Sequence, residues 1–218
     1  MVPRDKYEPE RQLMVAEQLA ARDIRDARVL QAMATVPRHE FVPRDQRALA
    51  YTDRALEIGC GQTISQPYMV ALMCQLLQVA REHSVLEVGA GSGYQAAVLG
   101  QLARKVHAFE IVAQLASSAH ALIGRLGYST VNIHTADGTL GCPDQAPFDR
   151  IIIAAASPEI PPPLVEQLAE GGRIVAPVGS RRSQIVVVGA RKGDELCTWQ
   201  STPCVFVPLR GEHGWHDA

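Results

Sequence analysis

Three glycines alternate along Gly89-Ala90-Gly91-Ser92-Gly93, with Glu87 two positions ahead of them and Glu110 about 20 residues further on. Glycines let a backbone turn sharply and admit a ligand where a Cβ would collide. A carboxylate at the end of the following strand suits acceptance of hydrogen bonds from ribose hydroxyls. The plainer alternative is a tight turn and a solvated strand-end glutamate; the two features at the right separation argue against it. The dinucleotide fingerprint G-x-G-x-x-G is not met, because the spacing here is G-x-G-x-G. Glu87 would repel a pyrophosphate but would help to hold a cationic amino group. S-adenosyl-L-methionine carries a ribose, an amino group and a carboxylate and no phosphate, so it suits this loop better than NAD.

Two further stretches hold polar groups where a ligand could meet them. In "GQTISQPYMVA", Thr63, Ser65 and Gln66 stand immediately ahead of Pro67, which fits the first turn of an apolar helix. These side chains read either as helix-start chemistry, with Ser65 as a cap, or as donors aimed at an anion. In "ADGTLG", Asp137 and Gly138 follow a strand candidate, and Asp137 could accept from an adenine amino group or simply make an Asp-Gly turn.

The elements that must position these residues follow from apolar patterning. Strand candidates are 84–88, 105–111, 130–135, 149–156, 172–178 and 184–190, with helices near 94–103, 112–126 and 161–170. Continuous apolar strands joined by helical crossovers predict a doubly wound, mostly parallel sheet covered on both faces. The short polar gap after "QIVVVGA" predicts antiparallel pairing at the end of the sheet. In such a sheet a ligand lies beyond the carboxyl ends of the strands. Upstream, "PERQLMVAEQLAARDI" predicts a helix with Leu13, Met14, Ala16, Leu19 and Ala20 near one face, and Asp26 is the N-cap expected for a second helix ending before Pro37. The stretch from Val36 to Gly59 reads as an irregular connection. The expectation is one domain over 1–218, in which the helical and irregular segment 1–66 helps to cover the site.

Composition narrows the class. The 218 residues are 47% hydrophobic and 20% charged with a formal net charge of -2, ordinary for a globular chain and no basis for broad nucleic-acid binding. Arg181 and Arg182 in "GSRRSQ" read as a polar turn between strands. The charged start "MVPRDKYEPERQ" lacks the apolar core of a signal peptide, and no apolar run approaches the ~20 residues of a membrane span. The cysteines at 60, 74, 142, 197 and 204 include no CxxC pair and suggest free thiols in a reducing compartment, so cytosol is expected. His107 and His134 read as structural, and His213 with His216 as a weak metal candidate without supporting carboxylates.

Taken together, "VLQAMATVPRHEFVP", "GQTISQPYMVA", "VLEVGAGSGY", "ADGTLG", "APFDRIIIAAA", "GGRIVAPVG" and "CVFVPL" resemble the protein-L-isoaspartate O-methyltransferase family over nearly the whole chain. The glycine loop is shared by very many methyltransferases, whereas "QTISQP" and "FVPL" are far more specific. The resemblance implies a Rossmann-like class I methyltransferase fold. It implies methyl transfer from S-adenosyl-L-methionine, leaving S-adenosyl-L-homocysteine, with no metal. The acceptor it implies is the free α-carboxylate of L-isoaspartyl residues, and less well D-aspartyl residues, in damaged proteins and peptides, the first step of their repair.

Carried onto this chain, the resemblance makes Ser65 the active-site serine, with Gln62, Thr63 and Ile64 closing over the cofactor. Glu87, Gly89 and Gly91 belong to the cofactor loop, and Glu110 with Ile111 and Asp137 with Gly138 contact the nucleoside. Gln66, Pro67 and Tyr68 adjoin the substrate, and Val207 lies in the terminal strand whose backbone holds the peptide. Ala136 and Cys60 depart from the residues usual there, and the tail from Arg210 finds no match. A carboxylate attacking a sulfonium methyl needs no general base, since it is ionised at neutral pH. Alignment and exclusion of water matter most, and mild hydroxyl and amide donors avoid overstabilising the ground state. Two other readings are a methyltransferase acting on a small molecule or nucleic acid, and a cofactor-binding or damage-recognition module without turnover.

Overall fold

The computed structural model describes residues 5–215, and the expected His216 lies outside them. Strands β3 (Ser84–Val88), β4 (Lys105–Glu110), β5 (Val131–Thr135), β6 (Phe148–Ile153), β7 (Leu168–Gly179), β8 (Gln184–Lys192) and β9 (Glu195–Cys204) form one sheet in the order β5-β4-β3-β6-β7-β8-β9. From β5 to β7 the pairing is parallel, and β8 and β9 are antiparallel additions at the edge. The β8–β9 pairing is the one that the short polar gap predicts, whereas the antiparallel turn from β7 to β8 is an addition to that expectation. Strand order reverses beside β3, which places the switch point between β3 and β6. Val88 pairs with both Phe109 and Ile153, so the carboxyl ends of β3, β4 and β6 are level.

The two faces of the sheet are covered differently. Val85, Val106, Ala108, Ile152 and Val175 pack with α2 (Ala27–Thr35), α3 (Pro67–Leu77), α4 (Tyr94–Leu102) and Ile123 of α5 (Ala113–Leu126). Leu86, Val88, Phe109, Ile151 and Ile153 face the other way, under Leu164 of α6 (Pro162–Glu166) and Leu209. Fully burying side chains of this size stabilises by about 1.5–3 kcal/mol each, before the entropy of ordering them is subtracted.

Local chemistry sets the element ends. Asp26 accepts from the Arg28 N–H as N-cap of α2. Gly127, at φ 77°, ends α5 with its N–H on carbonyls of the last turn. The expected helix over 161–170 is only the five-residue α6, because β7 already begins at Leu168.

Upstream, α1 (Glu8–Leu13) passes into a π-helix over Met14–Ala20, in which the Ala21 N–H reaches back to the Ala16 carbonyl. The expected face changes accordingly. Met14 and Leu19, five positions apart, are both fully buried because i→i+5 closure brings them into phase, whereas Leu13 is 55% exposed and Ala16 faces solvent. The stretch expected to be irregular contains 3₁₀ turns at Arg38–Phe41 and Arg44–Leu49, then β1 (Leu56–Gly59), which pairs with β2 (Gln62–Ile64) in a hairpin. Its tip, Gly59-Cys60-Gly61, runs through three consecutive positive φ values of 90°, 54° and 69°.

Candidate active site

Beyond the ends of β3, β4 and β6, the backbone builds one wall of the site. Gly89 and Ala90 both donate to the Phe109 carbonyl, at 2.8 and 2.9 Å, and Gly93 donates to the Ala90 carbonyl at 2.8 Å. Gly91, at φ 53°, donates to Glu110 Oε2 at 2.8 Å, and Val112 donates to Oε1 at 2.8 Å. The Glu110 carboxylate is thus aimed by two main-chain donors, with a lone pair on each oxygen left for a ligand. It lines a hollow with Gln62, Val88, Gly89, Ile111, Gly138, Pro208 and Leu209.

Glu87 contrasts with it. It is fully buried, and neither carboxylate oxygen has a hydrogen-bond partner. Burial, and then the Glu110 charge, push its carboxyl well above the usual range. Glu87 lines a second hollow with Thr63, Ser65, Gly89, Gly91, Tyr94, Gln95 and Ala154. Gln95, 7% exposed, adds a buried Nε2 without an acceptor there. An uncompensated carboxylate and an uncompensated amide donor in one hollow match the ammonium and carboxylate of an amino-acid ligand. This acceptor and donor fit S-adenosyl-L-methionine, whose amino-acid end carries both groups.

The facing wall comes from the N-terminal segment. Gln66, not Ser65, is the N-cap residue of α3, and it makes no side-chain cap hydrogen bond. The Ser65 carbonyl accepts from Arg38 Nη2 at 2.8 Å, and the Tyr68 N–H donates to Asp53 Oδ1 at 3.2 Å. These bonds fix both sides of Pro67. Glu40 accepts from Arg47 at 3.1 Å and from Arg125 of α5 at 3.0 Å, which ties the segment to the sheet layer. A third hollow, lined by Ala55, Thr63, Ser65, Gln66, Met69, Ala154 and Val205 to Val207, opens on the other side of Ser65.

A family profile described as protein-L-isoaspartate(D-aspartate) O-methyltransferase matches residues 9–214. The chain belongs to this family. Protein-L-isoaspartate O-methyltransferase of Roseiflexus sp. (strain RS-1) is 56% identical over 206 residues, 94% of each chain, and that of Methanoregula boonei is 51% identical over 95% of this chain and 96% of the relative. Among solved structures, a protein-L-isoaspartate O-methyltransferase superposes with a TM-score of 0.83 at 26% identity, over 95% of this chain and 67% of its own. A Plasmodium falciparum structure described as a complex with S-adenosyl-L-homocysteine shares the fold, with a TM-score of 0.80 at 24% identity over 92% of this chain and 98% of its own.

Within this isoaspartyl methyltransferase fold, the three hollows gather most of the residues singled out in the sequence: Gln62, Thr63, Ile64, Ser65, Gln66, Glu87, Gly89, Gly91, Glu110, Ile111, Gly138 and Val207. Pro67 and Tyr68 are buried in the first turn of α3 and line none of these three hollows. Asp137 stands differently. Its Oδ1 caps the turn at Thr139, accepting from N–H and hydroxyl at 2.9 and 2.7 Å, and its Oδ2 accepts from the Glu212 N–H at 2.7 Å.

The tail that carries Glu212 wraps back, with Trp215 Nε1 donating to the Ala156 carbonyl at 2.9 Å. Sequence reasoning did not identify Arg38, Asp53, Gln95, Ala154 or Phe206. Of these, Arg38, Ala154 and Phe206 lie within the quoted stretches that carry the resemblance but were given no role there, and Gln95 stands one position past "VLEVGAGSGY". Arg181 and Arg182 lie in the β7–β8 turn, Arg181 stacking at 5.4 Å on Trp215. Among the described residues no group of three or more His, Cys, Asp or Glu could hold a metal ion, and no helix is long and apolar enough to cross a membrane.

Proposed function

We infer that this chain transfers a methyl group from S-adenosyl-L-methionine to the free α-carboxylate of L-isoaspartyl, and less well D-aspartyl, residues in damaged proteins, the step that initiates their repair. The observation that carries this reading is that Ser65 lines both the hollow containing Glu87 and the hollow bounded by Val205 to Val207. One residue thereby stands between the methyl-donor side and the acceptor side.

When bound, S-adenosyl-L-methionine supplies an electrophilic methyl group on a sulfonium. Glu110 takes the ribose hydroxyls, Ile111 and Gly138 flank the base, and Asp137 supports Gly138 through its cap. Glu87 holds the ammonium, Gly89 and Gly91 let the ligand approach the backbone, and Gln62 to Ile64 cover it. On the acceptor side the backbone at Val207 holds an extended peptide, with Gln66 beside the carboxylate and Pro67 and Tyr68 fixing the turn. Ser65 and Thr63 donate to the carboxylate and aim one oxygen at the methyl group. Since the nucleophile is already ionised, these groups supply alignment, which can be worth roughly 7–11 kcal/mol in well-oriented systems.

The segment 1–66 serves as part of the same domain, as the cover of this site. Cytosol is the compartment that fits its free thiols, and the net charge of -2 gives no footing for nucleic acid.

The test uses two peptides that differ only in L-isoaspartate against L-aspartate, with labelled S-adenosyl-L-methionine and base-labile methyl ester as readout. Labelling of the isoaspartyl peptide alone is expected. Cofactor binding with neither peptide labelled would sink the reading.

A further inference from the structure

Arg38 is 0% exposed, and no carboxylate pairs with it among the described residues. Its Nε donates to the Ala50 carbonyl at 2.7 Å and its Nη2 to the Ser65 carbonyl at 2.8 Å. Nη1 is buried and finds no acceptor, and the guanidinium lies 4.8 Å from the centre of the Tyr94 ring. Burial lowers its pKa, and the nearby Tyr94, Tyr51 and Asp53 only partly offset this. Asp53 is itself engaged with the Tyr68 N–H and Arg22. A buried charge without a counter-charge is costly, and a neutral donor could satisfy two carbonyls without that cost. The cation therefore has no ion-pair partner among the described residues, with Asp53 acting on it only from a distance, and an anion held closer would stabilise it.

The place where an anion would stand follows from Ser65. Arg38 grips this residue from behind by its carbonyl, while the same residue faces the hollow of Thr63, Gln66 and Val205 to Val207. We propose that Arg38 is a positioning residue for Ser65 and that its buried charge is the counter-charge of the substrate's α-carboxylate. The inference rests on the functional reading above. It gives that reading a basis for choosing the charged acceptor: a peptide whose α-carboxylate is neutralised leaves the guanidinium unpaired. Because the charge lies in the interior, its attraction is screened little by salt.

The test compares an L-isoaspartyl peptide with the same peptide carrying an α-carboxamide, each titrated calorimetrically into enzyme loaded with S-adenosyl-L-homocysteine. In the native enzyme the charged peptide is expected to bind at least about 30-fold more tightly. That preference should fall less than about twofold between 0.05 and 0.5 M salt. Arg38→Met should shrink the preference to about threefold or less, with S-adenosyl-L-homocysteine affinity held within about threefold, and Arg38→Lys should keep most of it. Arg38→Gln, which retains donors and drops the charge, should behave as Arg38→Met does.

A folded Arg38→Met or Arg38→Gln protein that keeps the native preference would overturn the proposal. So would a loss confined to S-adenosyl-L-homocysteine affinity, which would assign the charge to the cofactor's carboxylate. If neither variant folds, the salt series on the native enzyme decides, and a steep fall would place the recognition on surface cations. Failure of the native enzyme to methylate the isoaspartyl peptide would instead remove the functional reading itself.

Discussion

On the sheet side of the site, Gly89, Ala90 and Gly91 are fixed by hydrogen bonds to the Phe109 carbonyl and the Glu110 carboxylate; on the N-terminal side, Ser65 and Tyr68 are held by the side chains of Arg38 and Asp53. The first wall inherits its geometry from the pairing of β3 with β4 and β6, which no single side chain determines. The second depends on individual side chains reaching across 27 and 15 positions of sequence. The wall assigned to the cofactor is thus shaped by backbone conformation, and the wall assigned to the acceptor by a few replaceable contacts. Substitutions on the first should act through cofactor affinity, and those on the second through turnover and acceptor binding.

The largest effect is expected for Gly91→Val. A β-branched residue at φ 53° costs about 1–3 kcal/mol, and its Cβ would stand 3.3 Å from Ile58 Cδ1 of the covering hairpin. Affinity for S-adenosyl-L-homocysteine, read by calorimetry, should fall at least about 100-fold, with a thermal midpoint lower by about 2–8 °C. Undiminished affinity would break the view that this wall is set by the backbone.

Glu87→Gln should weaken S-adenosyl-L-homocysteine binding about tenfold at neutral pH, and it should change the pH dependence more clearly than the size of the affinity. In the ligand-free protein the raised carboxyl keeps its proton after the unfolded chain, with its ordinary value of 4.5, has released it. Stability conferred by this group therefore falls as pH rises from about 4.5 towards the raised folded value. A cationic amino group favours the ionised form, so binding releases a proton and affinity rises with pH across that window. Titrations in two buffers of different ionisation enthalpy should show that release in the native protein and none in Glu87→Gln. Equal proton release in both proteins would assign it to another group.

The smallest effect should come from Asp53→Asn on the opposite wall, where Oδ1 remains to accept from the Tyr68 N–H. A kcat lower by about threefold, with unchanged S-adenosyl-L-homocysteine affinity, is expected from steady-state rates and calorimetry. A fall as large as that of Arg38→Met would show that the acceptor wall depends on both charges.

The same contrast explains what could be read in the sequence. Gly89, Gly91 and Glu110 announce themselves through short spacings on elements of clear pattern, and the parallel sheet follows from its apolar strands. Ser65 was visible through resemblance, but whether it capped α3 could be settled only by Gln66 occupying the cap. Arg38 was not legible, since its partners are main-chain carbonyls at Ala50 and Ser65 and leave no residue-type signature. The hairpin of β1 and β2 escaped notice because strands of four and three residues carry too little alternation. Asp137 shows the remaining difficulty: its position was evident, while its commitment to Thr139 and Glu212 depends on how a distant tail folds.

That tail also leaves the protein with a built-in optical probe. The chain has two tryptophans: Trp199, on β9, is 42% exposed, whereas the Trp215 indole is tied to the Ala156 carbonyl just past the end of β6. With Trp199 replaced by phenylalanine, all indole emission would come from a ring anchored to the strand end behind Ala154 and Ala155, both of which line the site. The seating of the tail could then be followed by its colour and lifetime, with no attached dye.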